Sequence, residues 1–516
     1  MNESRKIEGK QAVRGVLVTS LWTLVSRVLG LARDIFMTSA LGVTAAHGNF
    51  LMAWVVPNMF RRFMGEGAVS AAVQPALAHA REKKGERAAR RMYARFQGAL
   101  GLGLVGLVVV GEAVLLLLPS VLGPGISGDD LEALRFGALL FPYVLPICLT
   151  ALAAAPQHLS GRFSLPALAP ALLNLVWIAA LQWVVVSGGL RDGAEEFLCL
   201  AILVGGVLQW AVQIPGVRSA GWPLLPSFAP ADGSVRAALR KFLPAMLGLA
   251  AVQVNLALDH ALVRWLVDPS ATTYTFYANR LLHLPLALLV ISVFTGVMPL
   301  FSRLSAEGRD DELAVALRRG GESSLILVFA AGAGLFVLAL PAVTVLFQHG
   351  QFTGEASEML ASTLRAYLWC LPAAALAGLL ARARQSGGDV RGPALAAAAA
   401  IPVNLVLDII LLPKLGAPGA GYATAAAITL QCVLLARGSR WGLPFRLKRL
   451  PRLLVPGLAA GGATLLVQGQ LGESTTTLWG LGLCVVGGLG AAVMATLWIL
   501  PEEWEDLRRT LARKRS

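Results

Sequence analysis

The sequence predicts an all-α polytopic membrane protein of about fourteen transmembrane helices. They form two pseudo-symmetric six-helix lobes around a central cavity, with two further helices at the C-terminus. Three observations predict it. The 516 residues are 56% hydrophobic and only 14% charged, with a mean hydropathy of +0.67, where soluble domains average about 25% charged. Nearly uncharged apolar runs of about 18 residues or more recur from end to end, each long enough to cross a ~30 Å hydrocarbon core as a helix. The connections between those runs alternate between rich and poor in Lys and Arg.

Taken in order, the first span (13–41) follows a basic lead of Arg5, Lys6, Lys10 and Arg14. No small-residue cleavage site follows it, so it reads as a retained helix and not a signal peptide. The second (48–78) precedes a basic connection. Spans 96–118 and 132–156 flank GPGISGDD, spans 164–187 and 196–217 flank RDGAEE, and spans 322–347 and 358–381 flank HGQFTGEASE. Between and after them come 242–266, 273–301, 393–412, 419–437, 453–471 and 478–500. Counted across these connections, one face carries 34 Lys and Arg and the other three (Arg191, Arg264, Lys414). The positive-inside rule therefore places both termini in the cytoplasm.

That placement also accounts for the formal charge of +14. No basic run is interleaved with aromatics, so no nucleic-acid partner is expected. The five cysteines (Cys148, Cys199, Cys370, Cys432, Cys484) all lie in apolar runs without metal spacing, so they read as packing residues. An internal repeat organises the chain. GRFSLPALAPALLNLV at 161–176 and GDVRGPALAAAAAIPVNLVLD at 388–408 align Pro166 with Pro393 and Asn174 with Asn404, and Pro75 aligns with Pro299 at a similar offset. The lobes are then 1–220 and 221–440, with 441–516 as an appendix of two spans and a cytoplasmic tail. Six helices per repeat preserve orientation, as in transporters that work by alternating access.

Beyond the 37 Lys and Arg counted with the connections, seven arginines, and no lysine, remain inside spans: Arg27, Arg33, Arg61, Arg62, Arg135, Arg280 and Arg365. A charge at the bilayer centre costs about 2.5–3.5 kcal/mol on insertion scales, so it faces a wet cavity or a partner. Arg135 and Arg365 lie near an outer end and snorkel. In SRVLGLARD, Arg27 and Asp34 are seven apart and share a helix face, while Arg33 points about a third of a turn away. Asp34 is thus expected to partner Arg27, leaving Arg33 freer. PNMFRRFMGEG supplies Arg61, Arg62 and Glu66, the last two at i, i+4; YANRLLHLP supplies Asn279, Arg280 and His283. One reading makes these buried ion pairs tying helices together. The other is a cationic cavity for a phosphate-bearing substrate, which a guanidinium grips bidentately without losing its proton. In the second lobe, Asp259, Asn404, Asp408 and Thr424 offer the oxygens a hard cation wants. A proton on a buried Asp and plain interhelical hydrogen bonds are the other readings.

At SRVLGLARD, PNMFRRFMGEGAVSAAVQPALA, YANRLLHLPLALL and LFQHGQFTGEAS the chain resembles the MurJ (MviN-type) lipid II flippases of the multidrug/oligosaccharidyl-lipid/polysaccharide exporter superfamily. The resemblance covers nearly the whole chain. It implies a non-enzymatic, monomeric transporter in the bacterial inner membrane that flips the undecaprenyl-diphosphate-linked peptidoglycan precursor. Membrane lipids and cell-wall synthesis proteins are the further candidate partners. The essential arginines of the family fall on Arg27, Arg33, Arg61 and Arg280, with Asp34, Arg62, Glu66, Asn279 and His283 supporting. The family's sodium site falls on Asp259, Asn404, Asp408 and Thr424. No cofactor is implied beyond sodium as candidate coupling ion. Spans 13 and 14 would offer the lipid tail a groove. The chain departs from the family at Gly48, Asn279 and His283, where acidic or polar residues are usual, and at Val55, where lysine is usual. Rival expectations are a flippase for another undecaprenyl-linked glycan, a drug exporter, a membrane enzyme on polyprenyl phosphates, and a non-transporting scaffold. The short basic loops lack the acidic, His or glycine motifs the enzyme would need.

Overall fold

The computed structural model describes residues 2–64, 69, 72–187, 193–230, 233–286 and 291–499. Among these residues every regular element is helical, as expected where a lipid environment leaves backbone groups no partner but their own helix. The chain divides into two compact units, Met1–Ala257 and Leu258–Ser516.

The first unit contains α1 (Asn2–Leu41), α2 (Ala45–Phe63), α3 (Gln74–Lys84), α4 (Glu86–Leu122), α5 (Gly128–Leu140), α6 (Val144–Leu159), α7 (Ser164–Val186), α8 (Ala194–Ala211), α9 (Gln213–Ser219) and most of α10 (Gly233–Leu266). Helix starts are chemically marked. The Thr44 hydroxyl accepts from the His47 amide and the Ser127 hydroxyl from the Asp130 amide, each at 3.1 Å. Such caps satisfy amides that the first turn leaves open. α1 packs along α7, α2 along α5, and α7 along α8. Their shared core is aromatic: Trp177 meets Phe50 and Trp54 edge-on at 5.7 and 5.1 Å, and Trp54 meets Tyr143 at 5.3 Å. The Tyr143 hydroxyl donates to Gln209 Oε1 at 2.9 Å, and Gln209 Nε2 to the Ala169 carbonyl. The Tyr143 hydroxyl and the Gln209 amide are thereby matched, while Trp177 Nε1 is buried without a hydrogen-bond partner.

The second unit contains α11 (Ala271–Pro285), α12 (Ile291–Ala306), α13 (Asp310–Val337), α14 (Ala339–Phe347), α15 (Gly354–Leu368), α16 (Leu371–Ser386), α17 (Arg391–Leu415), α18 (Pro418–Arg437), α19 (Leu450–Leu471) and α20 (Leu478–Ile499). α17 pairs with α18, α19 with α20, and α13 with α19. Small residues let backbones approach: a side chain on Gly421 of α18 would stand 2.7 Å from the Tyr367 amide nitrogen of α15. On α20 the most exposed large side chains are Trp479 and Trp498, near its two ends. At ~1.5 Å per residue they are about 28 Å apart, the thickness that aromatic belts bracket.

Among the described residues, nine helices are long and apolar enough to cross a membrane, or ten if α15 and α16, bent by 42°, form one span. The other expected spans (13–41, 48–78, 242–266, 273–301) are helical where described, as α1, α2 with the start of α3, α10, and α11 with α12. All five cysteines are unpaired.

Candidate functional site

Two polar constellations lie within the helical frame, one in each unit. In the first, α1 carries Arg33 against α7. Arg33 Nε and Nη2 donate to Asp34 Oδ1 at 3.1 and 2.6 Å, and Nη1 donates to Asn174 Oδ1 at 3.2 Å. Its guanidinium lies 4.5 Å over the Trp177 ring, a cation–π contact. Asn174 in turn donates from Nδ2 to the Ser26 carbonyl at 3.0 Å. Arg33 is 8% exposed. Three of a guanidinium's five N–H groups enter these bonds.

This corrects the expected pairing. Asp34 is bound by Arg33, its neighbour in sequence, and Arg27 stays exposed with no ion-pair partner among the described residues. Helical phase compares Cα directions only. The long arginine stem spans the ~100° between adjacent positions, and Asn174 and Trp177 draw the guanidinium to that side.

On α2, Arg61 and Arg62 are half-buried. Arg61 Nε donates to Asn58 Oδ1 at 3.0 Å, and Arg62 Nη1 to Gln253 Oε1 of α10 at 3.1 Å. Glu66, expected beside Arg62, lies outside the described residues. Arg280, on α11 of the second unit, is exposed, as is His283, whose Nδ1 contacts the Asn279 carbonyl at 2.8 Å. Gly48 and Val55, two of the departures from the family pattern, are buried among the α2 core residues.

In the second unit α10, α17 and α18 bring Asp259, Asn404, Asp408 and Thr424 together. Asn404 Nδ2 donates both to Asp259 Oδ1 and to Asp408 Oδ2, the latter at 2.9 Å. Asp259, Asn404 and Asp408 are 3%, 1% and 0% exposed. Asn404 Oδ1, Asp408 Oδ1 and Thr424 Oγ1 are buried with no hydrogen-bond partner. The pocket is rich in acceptors and poor in donors, which suits a small hard cation. Among the described residues no group of three or more His, Cys, Asp or Glu could hold a metal ion. His260 is buried but turns to Thr275 Oγ1 at 3.2 Å.

Sequence reasoning chose Asn404 as a site residue but took Asn174 only as a repeat marker. The repeat itself was the signal. Each asparagine joins a helix carrying a charged residue, Arg33 or Asp259, to its own PAL-containing helix. Trp177 and Gln253 carried no signal beyond their apolar or helical context.

The family model described as lipid II flippase MurJ matches residues 37–487. A probable lipid II flippase MurJ of Rhizobium tropici is 31% identical over 516 residues, covering 96% of this chain and 95% of that protein. A lipid II flippase MurJ of Burkholderia cenocepacia is 30% identical over 434 residues, covering 83% of each. Among solved structures, a lipid II flippase MurJ in an inward closed conformation superposes with a TM-score of 0.78 at 21% identity, covering 94% of this chain and 99% of that one. An inward-facing MATE family transporter of the MOP superfamily gives 0.65 at 15% identity, covering 81% and 95%. The last two likenesses concern the fold.

Proposed function

This chain belongs to the lipid II flippase MurJ family, a family of transporters and not of enzymes, and from that premise we propose how it works. It moves lipid II, the undecaprenyl-diphosphate-linked precursor, from the inner to the outer leaflet of the bacterial inner membrane by alternating access. It does so as a fourteen-span protein with both termini cytoplasmic. The observation that carries the reading is Arg33, a guanidinium set deep in α1 and pre-positioned by Asp34, Asn174 and Trp177. A planar cation fixed in advance loses little entropy when it meets a diphosphate oxygen. Arg27, exposed on the same helix, and half-buried Arg61 on α2 supply further charge in that unit. Arg280, in the other unit, enters through the sequence resemblance alone. Arg62, Glu66, Asn279 and His283 are assigned supporting roles from their place in the same two sequence motifs, PNMFRRFMGEG and YANRLLHLP.

In the second unit Asp259, Asn404, Asp408 and Thr424 would hold sodium as the coupling ion. The three unpartnered oxygens support that assignment. Bound there, the ion supplies one positive charge; the residues themselves supply two carboxylates bridged by one amide. The test is genetic and direct. Arg33→Ala and Arg280→Ala are expected to lose the rescue of a strain depleted of its own flippase. Full rescue by either at normal expression overturns the assignment of that arginine. Translocation of lipid II into proteoliposomes, with sodium replaced by choline, checks the coupling ion.

A further inference from the structure

A cavity of about 310 Å³ lies in the first unit, apart from both charged constellations, walled by α4, α6, α8, α9 and the segment 222–228. Its apolar lining includes Leu102, Val105, Leu145, Leu149, Trp210 and Phe228. Leu102, Val105, Trp210 and Phe228 are also exposed on the outside of the helices, so the mouth faces the surrounding bilayer. At about 30 Å³ per water, the volume is that of roughly ten waters, enough for a stretch of one acyl chain.

Two polar atoms interrupt the apolar wall. The Tyr93 hydroxyl and Gln97 Oε1, one turn apart on α4, are buried and have no hydrogen-bond partner. Native interiors do not leave such groups unmatched without cause. Tyr93 is fully buried and fixed edge-on against Trp222 at 5.6 Å. The 222–228 segment is built onto α4: the Ser227 amide donates to the Ala94 carbonyl at 2.8 Å, and Gly98 leaves room for the Ser227 carbonyl. Beyond Tyr93, toward the basic connection, stands Arg90. Its Nη2 lies 2.9 Å from where a side chain on Gly221 would begin, and also donates to Glu86 Oε2 at 3.1 Å. Arg218 stands one turn beyond Ile214, a lining residue. Both arginines are exposed.

We propose that this is a site for an anionic glycerophospholipid of the cytoplasmic leaflet, in the orientation proposed above. One acyl chain fills the cavity. The Tyr93 hydroxyl donates to one ester carbonyl, and a half-turn of the Gln97 amide presents its N–H to the second. The phosphate meets Arg90 and Arg218. Order along α4 matches order along the lipid: Leu102 and Val105 deepest, Gln97 and Tyr93 next, Arg90 at the rim. Basic pockets between helices on the cytoplasmic side take anionic headgroups for this reason.

The test uses the full-length protein in nanodiscs with phosphatidylglycerol bearing a diazirine on its acyl chain. Label is expected on 97–105 and 210–217, displaced at least tenfold better by unlabelled phosphatidylglycerol than by phosphatidylcholine. The double variant Arg90→Gln, Arg218→Gln should lower labelling there about fivefold. Gly101→Phe should abolish it with the melting temperature of lipid-free protein unchanged, because a side chain at Gly101 enters open space. Label spread evenly over lipid-facing helices, or displaced equally by both lipids, overturns the proposal. If Gly101→Phe fails to fold, the arginine pair decides.

Discussion

Replacing Asn174 by alanine should loosen α1 from α7 and release Arg33. The amide makes two bonds across that helix contact, accepting from Arg33 Nη1 at 3.2 Å and donating to the Ser26 carbonyl at 3.0 Å. Ordinary interhelical bonds in membranes average about 0.6 kcal/mol, whereas bonds to charged groups reach about 1.5–3 kcal/mol. The Arg33 bond is long, and the same guanidinium is already held by Asp34 through Nε and Nη2, so it belongs at the bottom of the second range. Together the two bonds give roughly 2 kcal/mol lost in Asn174→Ala. A double-mutant cycle with Arg33→Gln isolates the pair: a coupling near 1.5 kcal/mol is expected for a charge-assisted bond, and about 0.6 kcal/mol or less for an ordinary one. Reversible unfolding in mixed micelles, followed by circular dichroism, supplies the four stabilities. If the same bond also aims Arg33 at diphosphate, the initial rate of lipid II movement in proteoliposomes should fall about tenfold, since ~1.4 kcal/mol is a factor of ten. Unchanged stability in Asn174→Ala, or a coupling of zero, would refute the idea that Asn174 pre-positions Arg33.

Three further expectations follow from other contacts. Sodium should raise the melting temperature of the wild-type protein relative to choline at equal ionic strength, by the equivalent of about 2.7 kcal/mol at a hundred times its dissociation constant. Asn404→Leu should erase that difference, and a wild type indifferent to sodium would remove the cation from the site. Gly421→Val should lower stability by about 1–3 kcal/mol, because its side chain would press 2.7 Å from the Tyr367 nitrogen and force α15 from α18; thermal melts in detergent measure it. Glu322, 3% exposed, accepts from the Arg446 amide at 3.0 Å and from Arg449 Nη1 at 3.4 Å, clasping the segment before α19 onto α13. Glu322→Ala should therefore speed protease cleavage between 438 and 449, and an unchanged cleavage rate would show the clasp to be dispensable.

The fold was legible because membrane insertion writes itself into composition. Apolar runs and the alternation of basic connections need no tertiary information. The acidic constellation was legible for a similar reason: in hydrocarbon a carboxylate is costly wherever it points, so Asp259 and Asp408 announce themselves, and i, i+4 spacing supplies Asn404. The partner of Arg33 was not legible. Phase along one helix cannot weigh a long side chain's reach, nor foresee that α7 presents Asn174 and Trp177 to the same guanidinium. Nor could the Tyr93 cavity be foreseen, since it exists only where a loop folds back onto Gly98.

The two asparagines of the repeat clarify what each unit needs from outside. Asn174 stands beside Arg33 and Asp34, charges of opposite sign that neutralise each other locally. Asn404 stands between Asp259 and Asp408, charges of the same sign. Two oxygens bound to one amide nitrogen sit ~5 Å apart, and like charges at that separation repel by about 3 kcal/mol with an effective dielectric of ~20. In the reading proposed above, the first unit holds its guanidinium ready beside Asp34, and the second is completed by an added positive charge. A proton would neutralise one carboxylate and occupy one acceptor. It would leave most of Asn404 Oδ1, Asp408 Oδ1 and Thr424 Oγ1 unmatched, each at a cost of about 1–3 kcal/mol. A small cation draws on all of them at once. That difference in oxygen satisfaction, more than charge alone, is the ground on which sodium and not a proton is proposed for the second unit.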